Sequence, residues 1–198
     1  MAALALPAGA ASGDGLDEVW AGTSWGESDA ALLQHFGARA TVLPQALDFG
    51  DSYTQLVLRQ FALGGYGLLV YYQIDKATHG LKRIQLERAR HAVNPPVFRG
   101  VLGALEAAYG PADRACGARP GPESGYQGAA EYIWSRAGLV IRAIFRDTTL
   151  EALGGCYSPA CGLTGQLLLR ISPPQGDDGQ CHPAARLPPA ASPGRPRG

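Results

Sequence analysis

The chain has 198 residues, with 17 basic against 17 acidic side chains, 27 Gly and 15 Pro. Zero net charge argues against a general binder of nucleic acid or acidic membrane, and 46% hydrophobic content excludes a wholly disordered chain. The sequence contains no run of 18 apolar residues, so no membrane-spanning helix is expected, and the length suits one domain or two small ones.

Met1 to Gly13 reads MAALALPAGAASG. Its apolar start and the A-x-A pattern of Ala8-Gly9-Ala10 match the end of a secretory signal. The apolar part is short and lacks a basic start, so a flexible Ala-rich end is the alternative. The expected location is periplasmic or secreted, with cytoplasmic as the other reading.

Ser28 can cap a short helix running to Phe36, and Gly37 stands where it stops. A loop through Pro44 leads into three strand-like runs, Tyr53–Leu63, Leu68–Asp75 and Leu81–Arg88, separated by glycine-containing turns. Pro95-Pro96 block helix before Val97–Tyr109, which has apolar residues at helical spacing and ends on Gly110-Pro111. After a Gly/Pro-rich loop come strand-like runs at Ala130–Arg136, Leu139–Arg146 and Gln166–Ser172, with a long connection at 147–165 where Thr148 and Glu151 have capping-box spacing.

Residues 173–198 are rich in Pro and Gly with Leu187 as the one large aliphatic, so they are expected to stay disordered. The four cysteines are Cys116, Cys156, Cys161 and Cys181. In an exported chain they fit two disulfides, Cys156–Cys161 across a turn and Cys116–Cys181. Free thiols and a zinc site are the alternatives, although zinc prefers two short paired spacings and only one is present.

Phe36-Gly37 and Tyr109-Gly110 each end a helix that precedes three strands. This is a weak internal repeat, about 24–90 and 95–172, within one domain spanning 14–172. The expected fold class is α+β: an antiparallel sheet from two helix-plus-three-strand-meander units, with both helices on one face. Trp25-Gly26, Phe36-Gly37 and Tyr109-Gly110-Pro111, spread over residues 20–172, resemble the architecture of secreted beta-lactamase inhibitor proteins and small envelope-assembly lipoproteins. The resemblance extends to uncharacterised bacterial periplasmic proteins and implies non-enzymatic protein binding. This chain departs from it in lacking a cysteine for lipidation near its start and in its long loop after Cys116.

Gly22-Thr23-Ser24-Trp25-Gly26 fits G-x-S-x-G, the nucleophile elbow of hydrolases, which needs a buried strand before the Ser and a helix after it. The acidic Leu16–Trp20 stretch is a poor buried strand, and Ser24 with Glu27 has capping-box spacing instead. His35, His79, His91 and His182 are scattered without a metal-ligand spacing, and neither metal nor cofactor is expected. Of the 17 basic residues all but Lys76 and Lys82 are Arg, which reads as the codon bias of a GC-rich genome and weakens Arg as a phosphate signal.

Strand alternation gives the sharper expectation. Leu139, Ile141, Ala143 and Phe145 share one face, leaving Val140, Arg142, Ile144 and Arg146 on the other. An open sheet face presenting Arg59, Tyr71, Tyr132, Trp134, Arg142, Arg146 and Arg170 would combine the residue types of interface hot spots. The leading expectation is a non-enzymatic exported binding module recognising a protein or anionic envelope polymer through that face. A small envelope hydrolase using Ser24 and a structural envelope protein without its own ligand are the alternatives. The oligomeric state is not legible.

Overall fold

The computed structural model describes residues 16–88, 95–118, 129–147 and 165–177. Three helices, α1 (Asp17–Trp20), α2 (Asp29–Phe36) and α3 (Pro95–Tyr109), accompany eight strands. The strands are β1 (Ala40–Asp48), β2 (Ser52–Leu63), β3 (Tyr66–Asp75), β4 (Leu81–Glu87), β5 (Arg114–Ala118), β6 (Ala129–Arg136), β7 (Leu139–Asp147) and β8 (Gly165–Ser172). The fold is α+β and mostly sheet. None of the described helices is long and apolar enough to cross a membrane.

The helix ends follow their local chemistry. Ser28 Oγ accepts the Ala31 amide at 3.3 Å, and Gly37 closes α2 at φ +53°, a conformation glycine adopts without strain. Pro95-Pro96, expected to block helix, form the first turn of α3, where the missing N–H has no intrahelical partner to lose.

All strands pair antiparallel in one sheet of order β1-β2-β3-β4-β8-β7-β6-β5. Each half therefore has four strands where three were expected. The two unforeseen strands, β1 and β5, are the sheet edges. An edge strand has no second neighbour demanding an apolar run, so Pro44 is tolerated in β1 and Val42 and Leu47 lie exposed.

Register assigns the faces. Leu56, Tyr72, Ile84, Ile171, Ile141 and Trp134 stand in one row across six strands. All belong to the hydrophobic core. Phe36 of α2 packs on Tyr72 with ring centroids 4.9 Å apart, and Phe98 of α3 meets Tyr132 at 5.9 Å and Phe145 at 5.0 Å. The Tyr72 hydroxyl donates to the carbonyl of Val19 at 2.8 Å.

The short motifs at the loop ends join distant parts of the chain. Trp25 Nε1 donates to the Gly138 carbonyl at 2.9 Å, and Trp134 Nε1 to the Gly110 carbonyl at 2.9 Å. The Tyr109 hydroxyl accepts the Leu16 amide and donates to Asp17 Oδ1, and burial beside Asp17 pushes it up to about 12. A β-carbon on Gly80 would lie 2.7 Å from the Gly26 backbone, whose amide donates to the Leu81 carbonyl while the Leu81 amide donates to the Glu27 carbonyl.

Candidate functional site

On the face opposite the core, register aligns one residue from every strand: Thr41, Val57, Tyr71, Gln85, Arg170, Arg142, Ile133 and Arg114. Three of the expected binding residues, Tyr71, Arg142 and Arg170, thus share a single row. Arg170 and Arg142 are direct cross-strand partners, an arrangement of like charges that costs stability unless compensated.

The compensation is built around Arg142. Its Nη1 donates to Glu131 Oε1 at 2.7 Å, its Nε to Asp177 Oδ2 at 2.5 Å, and its Nη2 to Asp177 Oδ1. Arg142 is only 3% exposed and Glu131 6%. Asp177, then desolvation in the opposite sense, then Glu131 act on the guanidinium, and its proton is held more tightly than in water. One guanidinium with two carboxylates leaves a single negative charge on the strand beside Arg170.

Asp177 arrives from beyond the last strand, positioned by a 3₁₀ turn at Pro174–Gly176, and Ser172 Oγ lies 3.4 Å from its Oδ2. Pro173–Asp177, expected as the start of a disordered tail, therefore packs on the sheet. The rest of that tail, 178–198, lies outside the described residues, as do 1–13, His91, His182, Cys156, Cys161, Cys181 and the Thr148–Glu151 pair.

The expected open face is corrected in two ways. Trp134 pairs with Ile141 and Tyr132 with Ala143, which places both aromatics on the core side, with Trp134 fully buried. Sequence alternation could group them with each other but not with a partner strand, since that needs the register. The face is also covered at its centre: Val57, Gln73, Gln85, Ile133, Val140, Arg142, Ile144 and Leu168 are all buried. What remains accessible in the row is Arg114, exposed, with Thr41, Tyr71 and Arg170 partly so.

Tyr71 has Phe49 of the β1–β2 turn 6.2 Å from its ring. Burial raises its hydroxyl, with Glu87 adding to and Arg59 opposing the shift. Arg170 Nε donates to Gln85 Oε1 at 3.2 Å. Arg59 is exposed on β2, and Arg146 lies in β7 with its side chain outside the described set.

At one end of the face the two lysines join a charged network. Lys82 Nζ lies 2.8 Å from Asp75 and 3.1 Å from Asp51, Arg83 reaches Asp51 at 2.6 Å, and Lys76 reaches Asp48 at 2.7 Å. Burial works to raise the Asp51 carboxyl, but hydrogen bonds from Arg83, Lys82 and Ser52 outweigh it and hold the group at about 2. Asp75 is driven well below the carboxylate range by Lys82 and the amides of Thr78 and Ala77. Beneath this network Gln73 Oε1 accepts from Arg83 and from Ser52, while its Nε2 is buried without a partner among the described residues.

Ser24 sits exposed in a turn between α1 and α2, its amide donating to Glu27 Oε2 at 3.0 Å. The residues described before it form helix α1 and a turn, which is not the strand-to-helix setting of an elbow. His35 turns to the Ala21 carbonyl at 3.0 Å, and His79 holds φ +57° in the β3–β4 turn. Cys116 lies in β5, half-buried.

Sequence reasoning missed Gln85, Glu131, Asp177 and Arg114. Glu131 carried a usable signal, since alternation places it on the face opposite Tyr132 and Trp134. Asp177 carried none: nothing in a Gly-Asp-Asp-Gly stretch says it returns to a strand. No protein-family model, curated protein or solved structure matches this chain.

Proposed function

We propose that this chain is an exported, non-enzymatic binding module that recognises a protein or an anionic envelope polymer through the accessible part of the row on its non-core face. The observation that carries the reading is the alignment of Tyr71, Arg170, Arg142 and Arg114 in one row, with Arg142 neutralised from below and beside. Gln85 accepts from Arg170 in this row, and aromatic and Arg side chains around a buried centre are the chemistry of an interface hot spot. Arg170 and Arg114 supply the positive charge that an acidic partner would meet.

The same proposal takes the two halves as repeated helix-plus-sheet units, both helices covering the face of Tyr72 and Phe145, in the manner of the beta-lactamase-inhibitor-like architecture. It pairs Cys116 with Cys181 and Cys156 with Cys161, an arrangement suited to an oxidising compartment.

Photo-crosslinking in the native host tests it. A benzophenone side chain at Tyr71 is expected to give a discrete adduct that Arg170→Glu abolishes, whereas the same group at exposed Thr78 gives none. Absence of an adduct at Tyr71, or equal adducts at both positions, overturns the reading.

A further inference from the structure

β2 outruns its neighbour. The β1–β2 ladder ends at Ala40 opposite Leu58, because the chain before Ala40 turns away through a 3₁₀ turn at Gly37–Arg39. Residues 59–63 continue beside β3, with Phe61 opposite Leu68 and Leu63 opposite Tyr66, and among the described residues no strand pairs with their other side. At ~3.4 Å per residue this leaves about 17 Å of unpaired main-chain edge.

A cavity of about 520 Å³ occupies that notch, within the range of ligand pockets. Arg39, Thr41, Leu58, Arg59, Gln60 and Phe61 line it, with Glu18 of α1 at its border. Leu58 and Phe61 are buried and give an apolar floor. The register slips between Leu58 and Phe61, where β2 carries one extra residue against β3. Such a bulge bends its strand and re-aims the side chain it carries, here that of Arg59 or Gln60.

The charges at the notch are unequal. Arg39 is already paired with Glu18. Arg59 is exposed and makes no hydrogen bond or ion pair among the described residues, and its charge opposes the upward shift of the Tyr71 hydroxyl. The notch therefore combines main-chain donors and acceptors along an extended line, an apolar floor and one uncommitted guanidinium.

We propose that this notch is a peptide-binding site: it takes an extended acidic segment of a partner protein, which adds along residues 59–63 and places a carboxylate on Arg59. Main-chain pairing supplies the general affinity and the carboxylate the selection. Glu18 is the built-in competitor, since it occupies the second guanidinium of the cavity. The site lies at the sheet edge, adjoining the β1–β2 end of the row through Thr41 and far along the row from Arg170 and Arg114.

Fluorescence anisotropy with the full chain and a labelled six-residue peptide alternating valine and glutamate tests it. The glutamate peptide is expected to bind, and a valine–glutamine peptide of the same length to bind about tenfold more weakly, as loss of one charge-assisted contact implies. Arg59→Gln should cost a similar factor, Glu18→Gln should tighten binding, and Lys76→Gln, at the opposite end of β2, should leave it unchanged. Amide shifts on saturation should concentrate at residues 59–63. Equal binding of the two peptides, indifference to Arg59→Gln, or shifts confined to the β5 edge would overturn the proposal. So would absence of binding at millimolar peptide, which would mean that the bulge and Arg59 only guard the edge against pairing.

Discussion

Two clusters of opposite charge stand on the same sheet face in contrasting surroundings. On β3 and β4, Lys82 and Arg83 meet Asp75 and Asp51 with side chains 20–49% exposed. On β7, Arg142 meets Glu131 and Asp177 with side chains 4–8% exposed. In water the first cluster loses little when broken, because solvent replaces each partner. In the second, removing one member strands a charge that solvent cannot reach. Similar ion pairs thus do different work: the exposed network tunes one end of the face, and the buried triad fixes the strand and tail that carry Arg170.

The contrast makes graded predictions. Arg142→Ala should be the most damaging change, about 3–5 kcal/mol in urea unfolding, since it removes the guanidinium that the buried Glu131 and Asp177 carboxylates share. A double change of Arg142→Met with Glu131→Leu that recovers much of that loss would show the cost to be desolvation of orphaned charge. Asp177→Asn comes next, about 1.5–3 kcal/mol, because Glu131 stays on the guanidinium. It should also make residues 173–177 cleavable by protease. Lys82→Gln should shift the urea midpoint far less, and raising the salt to molar levels should erase the difference.

The smallest effect is a titration. Asp51 and Asp75 have folded-state pKa values below those of the unfolded chain, so their contribution is complete above about pH 4 and is lost as the pH falls, for Asp51 through about 2 and for Asp75 at still lower pH. Asp51→Asn combined with Asp75→Asn should flatten the midpoint between pH 4 and 2. An unchanged acid limb in that variant would assign it to other carboxylates.

The strands and helices that were legible in the sequence are those with a buried stripe. β2, β3, β4, β6, β7 and β8 each carry alternating or continuous apolar residues, and α2 and α3 announce their ends through Ser28, Gly37 and Gly110-Pro111. β1 and β5 escaped because an edge strand needs only one partner and no apolar face. The grouping of Tyr71, Arg142 and Arg170 was legible from alternation. The misplacement of Tyr132 and Trp134 was the expected failure, since a face can be named only once the register to the next strand is known. The burial of Arg142 was beyond reach, because it depends on a carboxylate supplied from outside the sheet.

Arginine side-chain Nε–Hε resonances test the central claim most directly. Titration with a short poly-glutamate oligomer should shift Arg170 and Arg114, while Arg142, already holding Glu131 and Asp177, should keep its resonance position throughout. Movement of Arg142, or immobility of Arg170 at saturating oligomer, would contradict a binding face organised around a buried, neutralised arginine.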